Sequence, residues 1–200
     1  MNYPLKMNFK ILAFAPQIFV RDAAGQEIMY VKQKLFKLKE AINIFSDQSQ
    51  TNQIYSIKAD RVLDFSARYN FTDSQGMNLG AVKRRGMRSL WKASYDLLEG
   101  ERVKFQIQEE NALVKLIDGL VSEIPVVGML TGYIFNPVYL VTRSSNGAGP
   151  GPVVIRLKKE PSFLESSFSI EKVDPTLTEK EEEQILLGLL MMLLLERSRG

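Results

Sequence analysis

The last stretch of the chain limits the possible folds more than any other. From Ile185, Leu186 and Leu187 through Gly188 to Leu195 there is no polar side chain on any face. A helix that is apolar all round must be surrounded by lipid or by protein. The run spans roughly 16 Å at 1.5 Å per residue, whereas a bilayer crossing needs about 20 residues. Protein is the expected surround. Thr178 and Glu181 stand at capping-box spacing ahead of the run. Glu179, Glu181, Glu182 and Glu183 gather where the helix dipole favours negative charge, and Arg197 and Arg199 close the other end. These carboxylates read as solvated partners of the dipole rather than as metal ligands. Gly188 disfavours a helix by about 1 kcal/mol against Ala, which marks a close approach by another backbone. The pattern predicts a helix over 178–197.

The chain before it alternates in the manner of strands. Phe65, Ala67, Tyr69 and Phe71 share one face. Trp91, Ala93, Tyr95 and Leu97 alternate with Lys92, Ser94 and Asp96, and Val103, Phe105 and Ile107 with Arg102, Lys104, Gln106 and Gln108. One wet and one dry face suit an antiparallel sheet. Two turns repeat one chemistry: Asp22 with Gly25, and Asp73 with Gly76, hold the first and fourth positions of a type I turn. Their recurrence hints at an internal duplication. Lys32 and Lys34 share a parity that Lys37 and Lys39 do not, so the strand must break near Leu35 and Phe36. Strand pattern resumes over 138–141, 153–157 and 168–170, and the Gly- and Pro-rich residues 146–152 read as a hairpin tip rather than a phosphate loop.

Residues 111–136 interrupt this pattern. Leu113, Leu116, Ile117, Leu120 and Val121 fall on one face of an amphipathic helix, which Pro125 ends. Val126, Val127 and Met129 add further apolar surface. Three readings stand open for this insertion: packing over a barrel opening, an interface that makes a homo-oligomer, or a hairpin that dips into a membrane.

Composition narrows the chemistry. The 200 residues include neither Cys nor His, which removes disulfides, thiol nucleophiles, the commonest general base and most zinc sites. An enzyme would need a carboxylate pair, a lysine or a metal, and no spacing supplies one, so no catalytic residue, metal or cofactor is expected. The nearest carboxylate grouping is Glu109 and Glu110 with Asp118 and Glu123. Net charge is +3, too small an excess to indicate nucleic acid without a local patch. The five apolar residues 11–15 fall short of a signal-peptide core. A single cytoplasmic domain spanning 1–200 is the expectation, with a peripheral membrane location open to it. The densest basic cluster is Lys83, Arg84, Arg85, Arg88 and Lys92, with Met87 and Trp91 among the cations. Its bland reading is a solvated edge that discourages sheet pairing. Its functional reading is a site for anionic headgroups or phosphate-bearing partners, at about 1 kcal/mol per cation.

Many antiparallel strands followed by one fully apolar helix have a direct solution: the sheet closes and the helix fills it. Ile18, Phe19, Val20, Arg21 and Asp22 through Gly25 to Lys39, the second unit from Tyr69 to Gly76, and the Glu-then-Leu terminal helix together resemble the LURP-one-related family. That family shares its fold with tubby C-terminal domains and phospholipid scramblases. The resemblance implies a mainly β protein, a closed antiparallel barrel of twelve strands around a central hydrophobic C-terminal helix, with 111–136 as a helical insertion. It further implies membrane association, since tubby domains bind phosphoinositide headgroups and scramblases move phospholipids. The chain lacks the cysteine cluster that scramblases carry. A non-catalytic binding or scaffold barrel is the leading expectation. Scramblase-like translocation, and a homo-oligomeric structural or stress-response protein with no lipid role, are the alternatives.

Overall fold

The computed structural model describes residues 1–10, 17–32, 41–61, 67–85, 94–110, 137–144, 150–162 and 165–197. Twelve strands lie among them: β1 (Leu5–Lys10), β2 (Gln17–Arg21), β3 (Glu27–Lys32), β4 (Ile42–Phe45), β5 (Gln53–Ala59), β6 (Arg68–Asp73), β7 (Asn78–Arg84), β8 (Ser94–Glu99), β9 (Arg102–Glu109), β10 (Val138–Ser144), β11 (Pro150–Glu160) and β12 (Glu165–Lys172). Helix α1 (Glu179–Arg197) follows. Each strand pairs antiparallel with its neighbours in sequence, and β12 returns to β1 to close the barrel. Closure leaves no free sheet edge.

Helix α1 is the filling. Ile185, Leu186, Leu187, Leu189, Leu190, Met191 and Met192 are all at most 1 % exposed, so every face of the helix meets protein. Inward side chains of the wall supply it: Met7 and Phe9 of β1, Phe71 of β6, Tyr95 and Leu97 of β8, Phe105 and Ile107 of β9. The expected capping box forms. The Thr178 hydroxyl accepts from the Glu181 amide at 3.3 Å, and Glu181 accepts from the Thr178 amide at 3.0 Å.

The repeated turns are alike in detail. The Asp22 carboxylate accepts from the amides of Ala24 and Gln26, and Asp73 accepts from those of Gln75 and Met77, all at 2.8–2.9 Å. Gly25 and Gly76 take φ of 82° and 78°, the left-handed conformation that such hairpins place on glycine.

Three expectations need correction. Gly188 faces a side chain, not a backbone: a Cβ there would lie 2.3 Å from Leu97 Cδ2. The glutamates of the first turn are not all solvated, since Glu181 and Glu182 are 8 % and 3 % exposed and held by cations. The outward face of β8 is not fully wet either, because Ser94 and Asp96 are half-buried. The strand break near Leu35 and Phe36, the 146–152 tip, the 111–136 insertion and Arg199 fall wholly or largely outside the described residues.

Candidate functional site

Because successive strands alternate in direction, the barrel has two unlike rims. At the rim beside the start of α1, the helix is clasped to the wall. Arg143 of β10 reaches Glu181 at 2.9 Å and Asp174 at 3.4 Å. Lys104 of β9 lies 3.6 Å from Glu181, and Lys172 of β12 lies 2.5 Å from Glu182. Burial works against charge at Glu181, but the Thr178 amide and the Arg143 guanidinium outweigh it and hold the carboxyl below its ordinary range. Cations and carboxylates here satisfy one another, which leaves little for a ligand.

The rim beside the end of α1 is different. Tyr95 donates to Glu196 at 2.5 Å, and Arg197 lies over the Phe9 ring at 4.8 Å while donating to Ser166 at 3.2 Å. These contacts fix the helix end among β1, β8 and β12. Tyr139 of β10, pressed by burial and then by Glu109 and Glu196, has its hydroxyl pKa pushed up to about 12. Exposed cations gather on the strand ends of this rim. Lys10 and Lys32 flank Gln17 in one register row, and Lys83 and Arg85 stand at the end of β7. Lys10 lies over the outward Phe19 ring at 4.7 Å, a placement that keeps its ammonium at the surface. Glu109, Glu110, Glu160 and Glu165 sit at the ends of β9, β11 and β12, so positive charge concentrates over β1 to β7.

The basic cluster read from the sequence is thereby divided. Strand alternation sends Arg84 to the inward parity, opposite the buried Tyr95, and leaves Lys83 and Arg85 exposed on the outward one. Lys83 stands between Arg68 and Asp96. Arg68 is engaged elsewhere, by Glu101 at 2.5 Å and the Gly100 carbonyl at 2.7 Å. Arg88 and Lys92 lie outside the described residues, as do Leu113, Leu116, Ile117, Leu120, Val121, Val126, Val127 and Met129. The strand ends flanking both segments, Arg84 with Ser94 and Glu109 with Val138, belong to this same rim.

Asp96 was not a candidate from the sequence, and its surroundings are unusual. It faces Lys83 across β7 and Gln106 across β9. Burial pushes its carboxyl pKa up, against the pull of Arg85, Gln106 and Lys83. Alternation alone assigns such a residue to solvent; only the structure shows it sheltered. Among the described residues no group of three or more acidic side chains could hold a metal ion, and no helix is long and apolar enough to cross a membrane.

A closed meander of antiparallel strands, filled by its own C-terminal helix and edged with cations on one rim, defines the class of helix-filled barrels. Residues 27–188 match the LURP-one-related family model, and the chain belongs to that family. No curated protein and no solved structure matches it.

Proposed function

We propose that this protein is a non-catalytic binding barrel that meets anionic phospholipid surfaces with the rim beside the end of α1. The observation that carries the reading is the set of exposed cations on that rim, Lys10, Lys32, Lys83 and Arg85. Each cation close to an anionic leaflet contributes about 1 kcal/mol, within a Debye length of roughly 8 Å at physiological salt. Four acting together give useful affinity with no pocket and no catalytic group. Among the described residues at the other rim, Lys104, Arg143 and Lys172 are held in ion pairs with Glu181 and Glu182. Translocation of phospholipid is the weaker reading, because α1 is occupied as the filling of the barrel and cannot serve the bilayer without emptying the core.

Sedimentation with vesicles tests the proposal. The protein should pellet with vesicles containing anionic lipid and stay in the supernatant with neutral ones. Replacing Lys10, Lys32, Lys83 and Arg85 by Ala should remove most of the pelleted fraction, as should raised salt. Equal pelleting of the parent and the variant, or equal pelleting with both vesicle types, would end the proposal in favour of a structural role.

A further inference from the structure

Two register rows cross the outer wall just below the cationic rim. One runs Lys83, Asp96, Gln106 and Thr142 across β7, β8, β9 and β10. The other runs Ser94, Gln108 and Leu140, with the Arg85 amide donating to the Ser94 carbonyl at 2.8 Å. All of these side chains point away from α1. Their neighbours Tyr95, Leu97, Phe105, Ile107 and Val141 are fully buried on the inward parity, and Arg143 reaches the helix.

An outward polar row on a barrel should be wet, and this one is sheltered. Thr142 is 1 % exposed. Thr142 Oγ1, Ser94 Oγ and Asp96 Oδ1 are buried atoms without a hydrogen-bond partner. Buried polar atoms are rarely left unpaired, and each such atom destabilises by about 1–3 kcal/mol. Ser94 and Asp96 lie on β8 and Thr142 on β10, beyond Gln106 of β9. The Gln106 side chain bonds the Asp96 carboxylate, and Asp96 Oδ1 and the two hydroxyls remain open to a further donor. Lys83 and Arg85 stand exposed on the adjoining strand end, one strand spacing of about 4.8 Å away. That is the reach of a short amino-alcohol linker.

We propose that Ser94, Asp96 and Thr142, with Lys83 and Arg85 at their edge, form a recognition site for a phosphate ester that carries an ammonium group. The phosphate meets Lys83 and Arg85, and the ammonium donates to the Asp96 carboxylate and the neighbouring hydroxyls. Charge-assisted bonds of this kind are the strong ones. A phosphate without the ammonium would leave Asp96 Oδ1 without a donor and close to a like charge. The proposal rests on the anionic-surface reading of the rim and adds to it which headgroup that rim selects. The same chemistry occurs on a lipid and on a free phosphoamine.

The test uses vesicles of equal net charge, one set containing phosphatidylserine and the other phosphatidylglycerol. The parent protein should bind the phosphatidylserine set about tenfold more tightly. Asp96→Asn, which keeps shape and removes the charge, should abolish that preference while leaving binding to phosphatidylglycerol intact. Thr142→Val should reduce the preference, and an unchanged thermal transition in either variant confirms that the barrel persists. Calorimetric titration with soluble O-phosphoethanolamine and with inorganic phosphate separates the two sources. Preference in the vesicle arm assigns the site to lipid, and preference for O-phosphoethanolamine without it assigns the site to a free phosphoamine. Equal binding in both arms overturns the proposal yet leaves the cationic rim standing. Failure to bind either vesicle set overturns the rim reading itself.

Discussion

Gln184 of α1 donates through Nε2 to the main-chain carbonyl of Leu98 in β8 at 2.8 Å, and both partners are buried. The bond passes through the space that a side chain at residue 80 would fill. A Cβ on Gly80 would lie 2.2 Å from Gln184 Nε2 and 2.5 Å from the Leu98 oxygen, and φ at Gly80 is +112°. One glycine thus lets a polar side chain of the helix seat against a gap in the wall. Gly80→Ala should destabilise the barrel by about 2–4 kcal/mol, from backbone strain together with loss of the buried bond. Urea unfolding checks this, and a midpoint within error of the parent would refute it.

The position of Gly188 sets two effects against each other. Gly188→Ala gains about 1 kcal/mol of helix propensity. It also drives a methyl into Leu97, whose Cδ1 and Cγ would lie 3.2 and 3.3 Å away as well. Overpacking of a filled core loses about 1–3 kcal/mol, so the net change should be destabilising. In the double variant with Leu97→Ala the new methyl has room, and the combined loss should be smaller than the sum of the single ones. Strict additivity in a double-mutant cycle would show that the two residues do not meet.

Local chemistry was legible in the sequence, and chemistry between distant residues was not. The capping box of Thr178 and Glu181 and the turns at Asp22 and Asp73 involve residues at most four apart, so spacing alone determines their bonds. The all-apolar helix announced its own burial, because nothing but a closed wall could cover it. The contact of Gln184 with Leu98 joins residues 86 apart, and no periodicity specifies which carbonyl a buried amide will find. Glu181 and Glu182 were misjudged for the same reason: their cations come from β9, β10 and β12. The basic cluster was visible as a density of charge. Strand parity then divided it, placing Arg84 opposite Tyr95 and leaving Lys83 and Arg85 outside. Asp96 gave no signal, since shelter on an outward face is a tertiary property.

Acid should loosen the clasp at the start of α1. The Glu181 carboxyl titrates below its unfolded value of about 4.3 in the folded protein. Asp174, bonded by the Thr176 hydroxyl and amide and then by Arg143, is lowered too. For groups depressed on folding, the stabilisation is complete above the unfolded pKa and is lost as pH falls through the folded one. Thermal stability should therefore hold down to about pH 4.5 and decline below it. Glu181→Gln should lower stability by about 1–2 kcal/mol at neutral pH, a modest figure because Arg143 is 35 % exposed and retains Asp174. The variant should also flatten the acid decline. An unaltered decline would show that Glu181 does not carry it.

In the proposed function the barrel meets anionic membranes as a rigid body built around a fixed helix, and hydrogen exchange in the presence of vesicles tests that directly. Amides of α1 from Ile185 to Leu194 should exchange only through global unfolding, and should stay equally protected when the protein is bound to anionic vesicles. New protection should be confined to the rim, at Lys10, Lys32 and the end of β7. Faster exchange within α1 on vesicle binding would mean that the helix leaves the barrel to enter lipid, and would contradict a binding barrel with an immobile filling.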